Sequence, residues 1–161
     1  MADYRVAVHE AAHSVCAVVL DVPWHAVTIR ADARDGTLGR LIPDGAFIDA
    51  MVANNWPAEA FAITCIVGPL AEGQWMGENL ERVHEIDWDA YGSRTDFKNA
   101  RIIADVTGAR FDSLLRDAVH FLSQDKIKLA VERVADALVD RHTLITTDVN
   151  LLVFGNARGV Q

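Results

Sequence analysis

Apolar positions divide the chain into helical stretches around one short extended region. From Asp3 to Leu20 they fall at Val8, Ala11, Ala12, Val15, Val18 and Val19, the three- and four-residue spacing of a helix with one buried face. Pro23 closes that segment. Trp24 to Arg30 is short, β-branched and partly alternating, which predicts a strand. Asp35-Gly36 is a turn signal, and Thr37 to Ile42 reads as the returning strand of a hairpin. Helical patterning resumes at about Phe47. Ala58 to Met76 is dense in Ala, Ile and Val, and Gly68-Pro69 inside it predicts a kink or a break. Leu80 to Gly92 has no clear period and reads as a structured loop.

From Thr95 the pattern is helical to near the C-terminus. Phe111, Leu114, Leu115, Ala118, Val119 and Leu122 form one stripe, and Ile127, Val131, Val134 and Leu138 form another. Asp125 and Thr147 stand where helix caps are expected. There is no internal repeat, low-complexity tract or linker. The expected fold is therefore a single domain over residues 1–161, mainly α with a small antiparallel β element (α+β).

Composition narrows the function. The chain has 161 residues, 51% hydrophobic and 24% charged, ordinary for a globular domain. Its formal net charge of −8 argues against a nucleic-acid partner and against anionic membranes, both of which call for clustered positive charge. No apolar run approaches the ~18 residues of a membrane span. The opening MADYRVAVHE has neither the basic region nor the apolar stretch of a signal peptide, so a cytoplasmic location is expected. Cys16 and Cys65 lie in apolar, helix-like surroundings and read as reduced core residues. The chain has no Gly-rich phosphate loop of the G-x-x-x-x-G-K-[ST] kind and is too short to hold an ATPase domain beside another.

One segment carries chemistry. His9-Glu10-Ala11-Ala12-His13 is an H-E-x-x-H sequence on the first predicted helix. At ~100° and ~1.5 Å per residue, the two histidines are about 40° apart around the axis and ~6 Å apart along it, so both imidazoles can reach one metal ion. Glu10 lies alongside the pair, where a carboxylate can take a proton from water that the metal has made more acidic. A hydrolytic zinc site needs a third protein ligand. The extended metzincin pattern would place Gly at position 16 and His at position 19; here these are Cys16 and Val19, which excludes that class. Cys16 is ~10 Å along the helix from His9, a poor place for a ligand. Glu72, His84 and Asp96 remain. Asp96 has a competing role, because Ser93-Arg94-Thr95-Asp96 fits a capping box. Chemistry alone does not choose among the three.

Several segments resemble the peptidase domain of the FtsH-type zinc proteases, in that family's order. Tyr4 to His13 is similar to its A-x-H-E-A-G-H segment. Val27-Thr28-Ile29, then Thr37-Leu38-Gly39 and Pro43, resemble its V-T-I…A-L-G…P hairpin. Gly68-Pro69-Leu70-Ala71-Glu72 resembles its G-G-R-A-A-E helix, and Gly92 to Phe97 with Ala100 resembles its G-A-S-N-D-L-x-x-A segment. His142-Thr143-Leu144 with Thr147-Asp148 is similar to its last helical turn.

The resemblance implies an FtsH peptidase-domain-like metallopeptidase with Zn2+ held by His9, His13 and Asp96, and Glu10 as general base. It places Glu72 behind the ligands as a positioning carboxylate. It also implies that Leu38, Gly39, Arg40 and Leu41 bind an extended peptide by strand addition. The expected substrate is a peptide or an unfolded protein. The family forms ring-shaped hexamers to which its ATPase domain contributes, so the resemblance leaves a homo-oligomer open here without fixing the oligomeric state. Its membrane span and ATPase are missing, so cleavage would be independent of ATP. Ala12, Pro69 and Arg94-Thr95 depart from the family pattern without removing a catalytic group. Two other readings stand beside this one. One is a non-catalytic or regulatory metal-binding domain that recognises a protein partner. The other is a non-haem iron site, which can also be built from two histidines and a carboxylate.

Overall fold

The structure is a computed structural model, and it describes residues 3–34, 36–43, 45, 49, 53, 56–91 and 93–155. Helix α1 (Tyr4–Val19) starts at Asp3, whose side chain accepts the Arg5 N–H at 3.0 Å. The pattern predicted one buried face, but every residue from Glu10 to Val18 is buried. The reason is side-chain size: Ala7, Ala11, Ala12, Ser14, Cys16 and Ala17 let neighbouring elements close in from all sides, and an apolar surface all round favours a central helix. Helix α2 (Ala58–Trp75) and helix α5 (Asp125–Arg141) pack along α1, and α6 (Thr146–Phe154) and the sheet also contact it.

The predicted hairpin is present. Strand β1 (Ala26–Thr28) pairs antiparallel with β2 (Arg40–Ile42), Ala26 opposite Ile42 and Thr28 opposite Arg40. Gly36 turns the chain with φ +73°, a left-handed conformation that glycine adopts without strain. Asp35, its predicted partner in the turn, lies outside the described residues, as do Phe47 and Gly92. A third strand was not predicted. Strand β3 (Thr143–Ile145) pairs antiparallel with the other side of β1, giving the order β2-β1-β3. His142, at φ +65°, ends α5 and turns the chain into β3; its carbonyl accepts the Ile29 N–H at 2.9 Å. The architecture is thus mainly helical with a small antiparallel sheet, and β2 forms one edge of that sheet.

Four further expectations are corrected. Of the predicted kink or break at Gly68-Pro69, the break is absent, since helix α2 is continuous through Pro69; packing against α1 and α3 (Arg94–Thr107) holds the helix across the missing donor. Leu80 to Gly92 is not simply loop: Leu80–Glu85 and Trp88–Tyr91 are 3-10 helices. Asp125 is the first residue of α5 and makes no cap, that position falling to Gln124. The last helix begins at Thr146, and Asp148 rather than Thr147 satisfies its start by accepting the Ile145 N–H at 3.1 Å. Helix α4 (Phe111–Ser123) completes the bundle through Leu114, Leu115, Ala118 and Leu122 of the stripe read from the sequence and through Phe121, which that stripe did not include; Phe111 and Val119 are only partly buried. No helix among the described residues is long and apolar enough to cross a membrane.

Candidate metal centre

Helix α1 carries Arg5, His9 and His13 at four-residue intervals, so all three lie along one side of it. The His13 Nδ1–H donates to the Thr64 carbonyl on α2 at 2.6 Å. Because a carbonyl only accepts, this bond puts the proton on Nδ1 and leaves Nε2 to face the site. His9 is held in the same sense: its Nδ1 lies 2.7 Å from Glu72 Oε2. The two rings meet edge to face, with centroids 4.8 Å apart.

Asp96 comes from the first turn of α3. It shares the inward face of that helix with Ala100 and Ile103, so burying the apolar stripe carries the carboxylate toward α1. Its Oδ2 lies 3.1 Å from His9 Nε2 and 3.7 Å from His13 Nε2. The expected capping box is not formed. Ser93 makes no side-chain cap and instead donates its hydroxyl to the Trp88 carbonyl at 2.5 Å. Trp88 in turn packs edge to face on Phe97, 5.8 Å between centroids, and fills the space beside Gly73, where an added Cβ would lie 2.8 Å from the indole. These contacts seat the start of α3 and with it Asp96.

The ligand atoms of His9, His13 and Asp96 lie within 4.8 Å of one another, a candidate metal-binding triad. Glu10 is buried beside it, and its Oε2 has no hydrogen-bond partner. Such an orphaned buried oxygen is costly unless an occupant of the site engages it. Burial pushes the Glu10 carboxyl above its ordinary pKa, while His13 and His9 pull it down. Burial also favours the neutral form of His9, but hydrogen bonds to Asp96 and Glu72 outweigh it and raise its pKa to about 10. His13 is raised against the same opposition, chiefly by the charge of Asp96. For Asp96, burial acts upward, yet His13 and His9 hold the carboxyl well below the usual range. The cluster thus favours positive charge between these side chains, a demand that a divalent cation meets with ligands suited to it.

Two glycines make the arrangement possible. A Cβ on Gly68 would lie 2.3 Å from His13 Nε2, and one on Gly39 would lie 2.7 Å from Glu10 Cγ and 2.9 Å from the Thr28 carbonyl. Only the missing side chains let α2 back the His13 ring and the chain entering β2 pass close to Glu10.

The centre opens into a cleft of about 620 Å³ whose lining includes Leu38, Gly39, Arg40 and Leu41, with apolar walls from Trp24 and Phe61. Leu38 is 58% exposed, and Arg40 pairs with Asp32 at 3.4 Å. Of the other ligand candidates, Glu72 lies against Nδ1 of His9, on the side of the ring away from Asp96. His84 is exposed on a 3-10 helix and borders a separate cavity. Cys16 is buried and accepts the Thr64 hydroxyl at 3.6 Å. Sequence reasoning missed Thr64 and the packing role of Gly68. A backbone carbonyl leaves no residue-type signal, and Gly68 read as a helix breaker rather than as a seat for His13. No family model and no curated protein sequence matches the chain.

Proposed function

We propose that the protein is a zinc-dependent metallopeptidase acting on peptides or unfolded polypeptides, of the kind the FtsH-like motifs suggest. The observation that carries this reading is the unpartnered, buried carboxylate of Glu10 beside the His9–His13–Asp96 triad. Metal binding alone has no use for such a group, whereas hydrolysis needs a base there. His9, His13 and Asp96 would hold the zinc, which when bound would supply a Lewis acid for the scissile carbonyl and for water.

The chain's own residues do the rest. Glu72 and the Thr64 carbonyl hold both imidazoles with Nε2 facing inward. Glu10, its proton affinity raised by burial, takes a proton from the attacking water and passes it to the departing amine nitrogen. Strand β2 is an edge of the sheet, and Gly39 just before it lies against Glu10. An extended peptide pairing with that edge has its backbone beside the base.

The test is metal content together with casein or peptide cleavage by wild type and Glu10→Gln. The variant should keep its zinc and lose about 10²–10⁴-fold in rate. Equal activity in both overturns the mechanism. Zinc without turnover on varied substrates would support a non-catalytic domain instead, and iron in place of zinc would support the oxygenase-type site.

A further inference from the structure

We propose that Arg5 is a positioning residue for the metal centre, acting through Glu72 to hold His9 in its metal-binding orientation. This rests on the metal centre described above. Arg5 Nε lies 3.2 Å from Glu72 Oε1, while the other oxygen of the same carboxylate, Oε2, lies 2.7 Å from His9 Nδ1. One carboxylate therefore bridges the guanidinium and the imidazole. The Arg5–Glu72 contact is an ion pair without hydrogen-bond geometry, and Nε is buried. Glu72 is only 7% exposed while the Arg5 side chain is 38% exposed, so the guanidinium reaches in from the rim and water screens the attraction only in part.

At the start of its own helix Arg5 has only a long, exposed pair with Asp3, Nε to Oδ2 3.9 Å, which contributes little. Arg5 sits in the first turn of α1, near the positive end of the helix dipole, where a cation is disfavoured. Its reason lies across the interface with α2. Glu72 shares a small volume with Glu10 and Asp96, all three lining one cleft. A buried carboxylate in such company is costly without a cation against it. Among the ion pairs of the described residues, Arg5 is the only lysine or arginine that reaches any of these three. It fixes Oε1 so that Oε2 stays turned to His9. The spacing Arg5, His9, His13 puts guanidinium and both imidazoles along one side of α1, and Glu72 answers the first two from α2.

The experiment measures zinc affinity by chelator competition, without substrate, for wild type, Arg5→Met, Arg5→Lys, Glu72→Gln and the double variant Arg5→Met/Glu72→Gln. Melting of each metal-free form is recorded alongside. Arg5→Met should weaken zinc binding by about 10–100-fold, the usual cost of losing an outer partner of a ligand histidine. Arg5→Lys should recover most of that loss by restoring the charge. The double variant should bind no more weakly than Glu72→Gln alone, because Arg5 acts through that carboxylate. Arg5→Met binding zinc as tightly as wild type overturns the proposal, even if its metal-free form melts lower. A double variant showing the full product of the two single losses also overturns it. A wild-type protein that takes up no zinc overturns the metal reading and this proposal together, whereas zinc binding without peptidase activity leaves the Arg5 result to be read independently.

Discussion

The ring of His13 occupies the space that a side chain on Gly68 would fill, with an added Cβ 2.3 Å from Nε2. Gly68 belongs to α2 and His13 to α1, so this contact between two helices aims a histidine of the candidate metal-binding triad. Gly68→Ala should leave the secondary structure intact, since alanine is a good helix former, but displace the imidazole. Zinc affinity should fall by at least about ten-fold, as when the support of a ligand histidine is removed. Chelator competition checks it, and unchanged affinity would contradict the packing described.

Gly39→Ala makes the complementary prediction. The new Cβ would press on Glu10 and the Thr28 carbonyl, neither of which is a metal ligand. Zinc content should stay at the wild-type level while the cleavage rate falls by about 10²-fold, the scale of a 1 Å misplacement at a reacting centre. Activity within a few-fold of wild type would show that Glu10 is not held by this strand.

Asp96→Ala separates ligand from cap. A lost capping interaction would cost about 0.5–2 kcal/mol of helix stability. The structure shows no such cap, because Ser93 is bonded to Trp88. Circular dichroism should therefore find α3 intact, and zinc uptake should drop by more than the about 10–100-fold that follows loss of an outer partner. Wild-type zinc affinity in Asp96→Ala would remove Asp96 from the site.

Tyr4 offers a pH test remote from the metal ligands. Its hydroxyl donates to Asp136 Oδ1 at 3.0 Å, and burial together with that bond raises its pKa from 10.0 to about 12. The phenol is thus more strongly protonated in the folded state. Its contribution to stability is fully present below pH 10.0 and is lost as pH rises through about 12. Wild type should melt above Tyr4→Phe near pH 9, and the gap should close toward the upper pH. A gap that stays constant with pH would contradict the bond.

The parts legible in the sequence are those set by neighbours along the chain. His9, Glu10 and His13 lie within one helical turn, so spacing alone put both imidazoles together with the carboxylate beside them. The stripes of α4 and α5 and the β1–β2 hairpin followed from the same local periodicities. The third member of the candidate triad was not local. Asp96 is 87 residues from His9, and residue chemistry left it level with Glu72 and His84 until the motif resemblance favoured it. Strand β3 was missed for a related reason: only three residues long, it exists through pairing with β1, which no pattern within Thr143–Ile145 announces.

The sequence by itself therefore determined the helices, the hairpin and the chemistry available on α1, because periodicity and one-turn spacing are properties of a few consecutive residues. Tertiary structure decided which carboxylate completes the triad, which stands behind His9, and which glycines make room for ligand and base. Those outcomes depend on how α1, α2 and α3 approach one another, and that approach is set by the packing of side chains far apart in the chain.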